Sequence, residues 1–352
     1  MEAGISMKAG AAKAAAVRWV AGQASRIEGF RGAYFSGSIL GLSDEDELPA
    51  ASDVDVVVVT EQAEPPVKLG KFLFEGALIE GTYLSAGQLS SAEQVLGSYH
   101  LAGSFRRDTI ISDPSGELRR LQQEVAAHFA ERTWVSRRCG EARGRIESWL
   151  QGLDPSAPPH DRFTSWLFAT GVTTHVLLVA ALRNPTVRLR YLAARDVLTA
   201  CGREDIYGRL LELLGCAGWS PERTRRHLRE LARTFDAAAA AGRTPFFFSS
   251  DISPVSRPIA IDGSEELIRS GNHREAVFWI AATFARCRKI LAADAPELGE
   301  RLTPAFHALT EDLGVADWSA MSRRAEEVLG FLPVLWDTAE AIMTAHPDIV
   351  EK

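Results

Sequence analysis

At 352 residues, 46% hydrophobic and 24% charged, the chain is long enough for two packed units and points to neither a disordered nor a membrane class. A formal net charge of −7 argues against a nucleic-acid partner, because general affinity for a phosphate backbone needs a basic footprint. The N-terminal stretch to Ile27 is rich in alanine but carries Lys8, Lys13, Arg18 and Arg26, so neither a spanning segment nor a signal peptide is expected, and the expected location is cytoplasmic. Cys139, Cys201, Cys216 and Cys287 lack metal-ligand spacing and read as reduced helix residues.

The spacing of Val17, Val20, Ala24 and Ile27 predicts a first helix from about Met7 to Glu28, ended by Gly29. A short strand follows at Gly32 to Phe35, then a Gly37-Ser38 turn, then an acidic loop from Ser43 to Ser52 containing Pro49. Val54 to Val59 is a β-branched run with one charge, too short and too branched to favour helix, and it belongs inside a sheet. Pro65 and Pro66 break the chain again. Lys71 to Phe74 and Ala77 to Leu84, separated by Glu75-Gly76, read as a hairpin or two neighbouring strands, with Leu78, Glu80 and Thr82 on one face. A last strand is predicted at Thr109 to Ser112, closed by Asp113-Pro114-Ser115-Gly116.

Everything after Glu117 reads as helical. The stretch Asp154 to Pro159 separates two helices, and Asn184-Pro185 and Ser220-Pro221 each look like a cap followed by proline at the first helical position. Asn272 with Glu275 fits a capping-box start for a helix through Ile290. Strands first and helices afterwards predict an α+β fold, a small mixed sheet domain over residues 1–120 followed by a helical-bundle domain over 121–352.

Two residues apart on a strand, Asp53 and Asp55 share a face about 7 Å apart at the backbone. Carboxylates so placed can lean together over a pair of divalent ions, which in phosphoryl chemistry sit about 4 Å apart. Solvation at the strand end suffices to explain Asp53; for Asp55, followed by four valines, an unpaired charge in a sheet is costly unless a metal or cation meets it.

Gly37-Ser38, Ser52-Asp53-Val54-Asp55 and Glu80 in this order resemble the DNA polymerase beta-type nucleotidyltransferase superfamily, and the helical remainder is most similar in style to its antibiotic branch, the kanamycin, aminoglycoside and lincosamide nucleotidyltransferases. Roughly the first third of the chain carries the resemblance by motif; beyond it the likeness is architectural. The resemblance implies that Gly37 and Ser38 hold the terminal phosphates of ATP or another nucleoside triphosphate, that Asp53 and Asp55 bind two Mg²⁺ ions, and that Glu80 completes the metal site. Three carboxylates admit a triphosphate only if divalent cations neutralise them. It further implies transfer of a nucleoside monophosphate to a hydroxyl of a small molecule, with pyrophosphate released and a role in antibiotic resistance. Related enzymes build their pocket between two subunits, so a homodimer is compatible with it. The metal reading requires the three acids to converge with no lysine or arginine permanently between them.

The chain departs from the family pattern in two places. No basic residue comes shortly after Ser38, where Ile39-Leu40-Gly41-Leu42 follow, so cations for the triphosphate must come from elsewhere, and the loop to Asp53 is long and acidic. Asp44, Glu45, Asp46 and Glu47 either recruit a cationic acceptor or form a solvated loop. The resemblance to the kanamycin nucleotidyltransferases implies a helical glutamate as the base. The corresponding stretch here, Gly171 to Leu178, offers only His175, which is either that base or a hydrogen-bonded core residue. Arg183 and Arg188 are the candidate phosphate clamps among Arg183, Arg188, Arg190 and Arg195, with pairing to Asp196 or Glu204 as the alternative role. Arg223, Arg225, Arg226 and His227 read as a solvated helix face, and Asp251 and Asp262 as pocket or capping residues. The competing functions are a toxin-type enzyme acting on protein or tRNA, and an inactive nucleotide-binding scaffold of the same fold.

Overall fold

The computed structural model describes residues 7–65 and 68–352. Among them lie one five-stranded mixed sheet in the N-terminal part and twelve α-helices, a mixed α+β layout as expected. Pro66, half of the expected Pro65-Pro66 break, lies outside the described residues, as do the first six of the alanine-rich N-terminus.

Helix α1 (Ala9–Gly22) is shorter than the periodicity predicts. Glycine is a poor helix residue, and after Gly22 the chain passes through a 3₁₀ turn at Ala24–Arg26 and reverses at Gly29, φ +74°, into strand β1 (Phe30–Ser36). Strands β2 (Val54–Thr60), β3 (Gly70–Phe74), β4 (Ala77–Ser85) and β5 (Ile110–Ser112) complete a sheet of order β3-β4-β2-β1-β5. Only β2 and β4 run parallel.

β3 and β4 do form a hairpin. Glu75 and Gly76 both have positive φ, +48° and +81°, the pair a two-residue turn needs to match the twist of its strands. The turn fixes the register, Phe74 opposite Ala77 and therefore Lys71 opposite Glu80.

Alternation along β2 divides its side chains. Val54, Val56 and Val58 pack with Ala33, Ile79 and the alanine-rich face of α1. Val57 and Val59 face the other way, with Tyr34 and Phe105, under α2 (Ala92–Gly97) and α3 (Glu117–His128). Each buried valine contributes on the order of 1.5–3 kcal/mol, enough together to hold one unfavourable carboxylate in the strand. Asp55 lies on the same side of β2 as Val57 and Val59 and is half-buried.

Helices α4 (Arg132–Gln151), α5 (Pro159–Ala180), α6 (Arg190–Ala200), α7 (Glu204–Leu214), α8 (Pro221–Ala241), α9 (Gly263–Arg269), α10 (Val277–Asp294), α11 (Pro296–Asp312) and α12 (Trp318–Ala345) share one core around Phe163, Trp166, Phe284 and Phe306. α5 and α12 are long and apolar enough to cross a membrane, but 83% of the apolar window of α5 and 44% of that of α12 is buried within the fold.

Ser220 caps α8 as expected, its hydroxyl accepting from the Arg223 amide, with Pro221 at the first helical position. Asn184-Pro185 starts no helix. α5 closes at Leu182, φ +51°, α6 begins only at Arg190, and the Asn184 amide donates to the Gly37 carbonyl instead of capping. Asn272 and Glu275 make no capping box either. α10 begins at Val277, and Glu275 is drawn into the core by Arg195, 2.7 Å away, and the Tyr207 hydroxyl. The Arg223 to His227 face is only partly solvated, because His227 is buried and bonds Asp312 at 2.7 Å.

Candidate active site

The pairing of β2 with β4 sets Asp55 beside Glu80, and Asp53 reaches the same spot from just before β2. One carboxylate oxygen from each of Asp53, Asp55 and Glu80 lies within 4.8 Å of the others. The expected convergence is therefore present. On the other side β1 pairs Ser36 with Asp55 and then turns at Gly37, φ +67°. A Cβ at Gly37 would fall 1.7 Å from Asp55 Oδ2, so only glycine lets the turn lie against this carboxylate. The Ser38 hydroxyl lies 3.3 Å from that of Ser52, tying the Gly-Ser turn to the approach to Asp53.

The gap between the acids is not free. The Lys71 ammonium sits in it, 2.8 Å from Asp53, 2.5 Å from Glu80 and 3.1 Å from Asp251, with a side chain only 7% exposed. Lys68 lies against the other oxygen of Glu80, an ion pair without hydrogen-bond geometry. Asp251, in a 3₁₀ turn at Ser249–Asp251, is held in turn by Arg286 of α10 at 2.9 Å. The turn packs closely on β3: a Cβ at Gly70 would fall 2.3 Å from the Ser250 hydroxyl. Asp251 thus belongs to the site and does not serve as a helix cap.

The charges are strongly coupled. Burial, and then the charge of Asp53, push the Asp55 carboxyl up to about 7 although Lys71 and Lys68 pull the other way. Burial works against the charge of Lys71, but Asp251 and Asp53 outweigh it and hold its pKa above the ordinary lysine value. Burial lowers Lys68. For Asp251 burial is overcome by Arg286, Lys71 and Lys68, which hold it below the usual carboxylate range.

Three carboxylates with no nitrogen or sulfur donor among them make a hard oxygen set of the kind that suits Mg²⁺. The donors fit such an ion; Lys71 occupies its place, so ion and ammonium compete for the same oxygens.

The loop between α5 and α6 reaches both motif segments. Besides the Asn184 contact to Gly37, Arg188 donates to the Ala51 carbonyl at 3.1 Å. Burial lowers the Arg188 pKa, and the nearby charge of Asp53 partly offsets this. Arg183 is exposed on the same loop. Arg190, fully buried, lies over the Phe278 ring at 3.9 Å.

His175 has a different setting. Its Nε2 donates to the Thr186 carbonyl at 2.9 Å, its ring packs on Tyr99, and burial drives its pKa down to about 3. Such an imidazole is a poor proton acceptor at neutral pH, and its hydrogen bond buttresses the α5–α6 loop, so it takes the core role. The acidic loop is tied down as well: Asp44 pairs with Lys13 at 2.9 Å and Glu47 with Lys8 at 3.3 Å.

Lys71, Lys68, Arg286 and the role of Asp251 were not read from the sequence. Lys71 had a signal: a two-residue turn at Glu75-Gly76 dictates a lysine opposite Glu80. Asp251 and Arg286 had none, since only tertiary packing brings residues so far along the chain to β3. Comparison of the chain with known protein families and with curated proteins found no match.

Proposed function

We propose that the chain is a Mg²⁺-dependent nucleotidyltransferase that moves a nucleoside monophosphate, AMP from ATP, onto a hydroxyl of a small molecule of the aminoglycoside kind. The observation that supports this best is the convergence of Asp53, just before β2, with Asp55 and Glu80 on the parallel strands β2 and β4, the Gly37 turn pressed against Asp55. Asp53, Asp55 and Glu80 are the residues that would hold the metal. When bound, it would neutralise the approaching triphosphate and stabilise the charge that builds on the transferring phosphorus.

The chain's own residues do the rest by placement. The Gly37-Ser38 turn offers backbone and hydroxyl groups to the terminal phosphates, and Arg188 adds a cation beside Asp53. The acceptor oxygen bonds to the α-phosphorus, the bond from that phosphorus to the bridging oxygen breaks, and pyrophosphate leaves with the electron pair. The acceptor proton passes to solvent or to a carboxylate of the site, since His175 is too weak a base.

A second reading, an inactive nucleotide-binding scaffold of the same fold, is favoured by the Lys71 ammonium between the acids. One experiment separates the two. The protein is incubated with Mg²⁺ and each labelled nucleoside triphosphate, with and without a panel of aminoglycosides and lincosamides. Acceptor-dependent pyrophosphate release supports transfer; triphosphate binding without turnover supports the scaffold. Label on protein or tRNA would redirect the acceptor to a macromolecule.

A further inference from the structure

A triphosphate needs cations, and no basic residue stands shortly after Ser38, where Ile39 to Leu42 follow, to supply them. Two lysines nevertheless stand in the site on or beside the edge strand β3. The hydrogen-bonding and ionic partners of the Lys71 ammonium, among the described residues, are all carboxylates: Asp53, Glu80 and Asp251. Lys68 adds a second ammonium on Glu80. A lysine head is a compact charge with three rotatable donors on a flexible stem, so it can exchange one set of oxygens for another without moving its backbone.

The charge balance favours exchange over expulsion. Two divalent ions and one nucleoside triphosphate bring charges that cancel, so their arrival leaves the acids and lysines with the balance they had before. The acids gain the ions, and the lysines are left facing the phosphates. Asp251 is not one of the three converging acids, and Arg286 fixes it from α10. It can keep hold of Lys71 after Asp53 and Glu80 are taken, which makes Asp251 a positioning residue.

Building on the nucleotidyl-transfer reading, we infer that Lys71, with Lys68 beside it, is the polyphosphate-binding cation of this site, parked on the metal-binding carboxylates until ions and triphosphate arrive and anchored by Asp251 throughout. The lysine then competes with the metal in the empty protein and assists the nucleotide in the loaded one. A lysine that only neutralised the acids would do the first and not the second.

The test is equilibrium binding. Free Mn²⁺ is followed by electron paramagnetic resonance, and binding of the unreactive α,β-methylene analogue of ATP is then measured at saturating Mn²⁺. Lys71→Met is expected to bind Mn²⁺ alone about tenfold more tightly than wild type and the analogue about tenfold more weakly, the loss of one charge-assisted contact. Lys71→Gln, which keeps polar contact with the acids but no charge, should behave alike if the methionine variant does not fold. Mn²⁺ affinity that is unchanged or lower in the variants, or analogue affinity that does not fall, overturns the inference while leaving the transfer reading intact. Wild type that binds neither Mn²⁺ nor analogue overturns both.

Discussion

Replacing Asp55 by asparagine should make the ion-free protein more stable while destroying its transferase activity. Asp55 is a half-buried carboxylate crowded by Asp53, and its pKa rises from 3.8 to about 7. A carboxyl held above its ordinary range binds its proton more tightly in the folded chain than in the unfolded one, so losing that proton works against the fold. The penalty starts near pH 4, grows to about pH 7 and then levels off. At about 1.4 kcal/mol per pKa unit, it reaches on the order of 4 kcal/mol at most. For a chain of this size that is a rise of roughly 5 °C in melting temperature. Thermal melts of wild type and Asp55→Asn in EDTA from pH 5 to 9 would read it: the gap should open between pH 5 and 7 and stay constant above. Adding Mn²⁺ should raise the wild-type melting temperature and leave the variant unmoved. A variant that melts no higher than wild type at pH 8 would refute the crowding.

Gly37→Ala puts a methyl group 1.7 Å from Asp55 Oδ2 at a left-handed φ, so pyrophosphate release should fall by about 100-fold or more; near-normal release would separate the turn from the chemistry. Arg188→Ala should raise KM for the triphosphate about tenfold with kcat little changed, and an unchanged KM would remove Arg188 from the phosphate site. His175→Gln should cost about 1–2 kcal/mol in denaturant unfolding while keeping turnover within about threefold of wild type. A loss beyond about tenfold would return His175 to the role of base.

Much of the sheet could be read from local sequence, because β-branched runs and glycine turns act at short range. Val54 to Val59, the Glu75-Gly76 turn and the acids Asp53, Asp55 and Glu80 all lie where pattern places them. Helix starts were less legible. Ser220 keeps its hydroxyl for the Arg223 amide, whereas Asn184 and Glu275 carry the same local signals and spend their polar groups on Gly37 and on Arg195 and Tyr207. The site itself was half legible. Its acids follow from a strand period of two, and Lys71 follows from hairpin register. The Asp251–Arg286 pair depends on how the Ser249–Asp251 turn packs on β3 and how Arg286 of α10 reaches that turn, contacts no local spacing encodes.

The most direct measurement is a crystal structure with Mn²⁺ and the α,β-methylene analogue of ATP, using the anomalous signal of manganese. The expected map has a peak among the oxygens of Asp53, Asp55 and Glu80, with the Lys71 ammonium turned to the phosphates. A map in which Lys71 still bridges Asp53 and Glu80, with nucleotide and manganese bound elsewhere or not at all, would contradict a two-metal transferase.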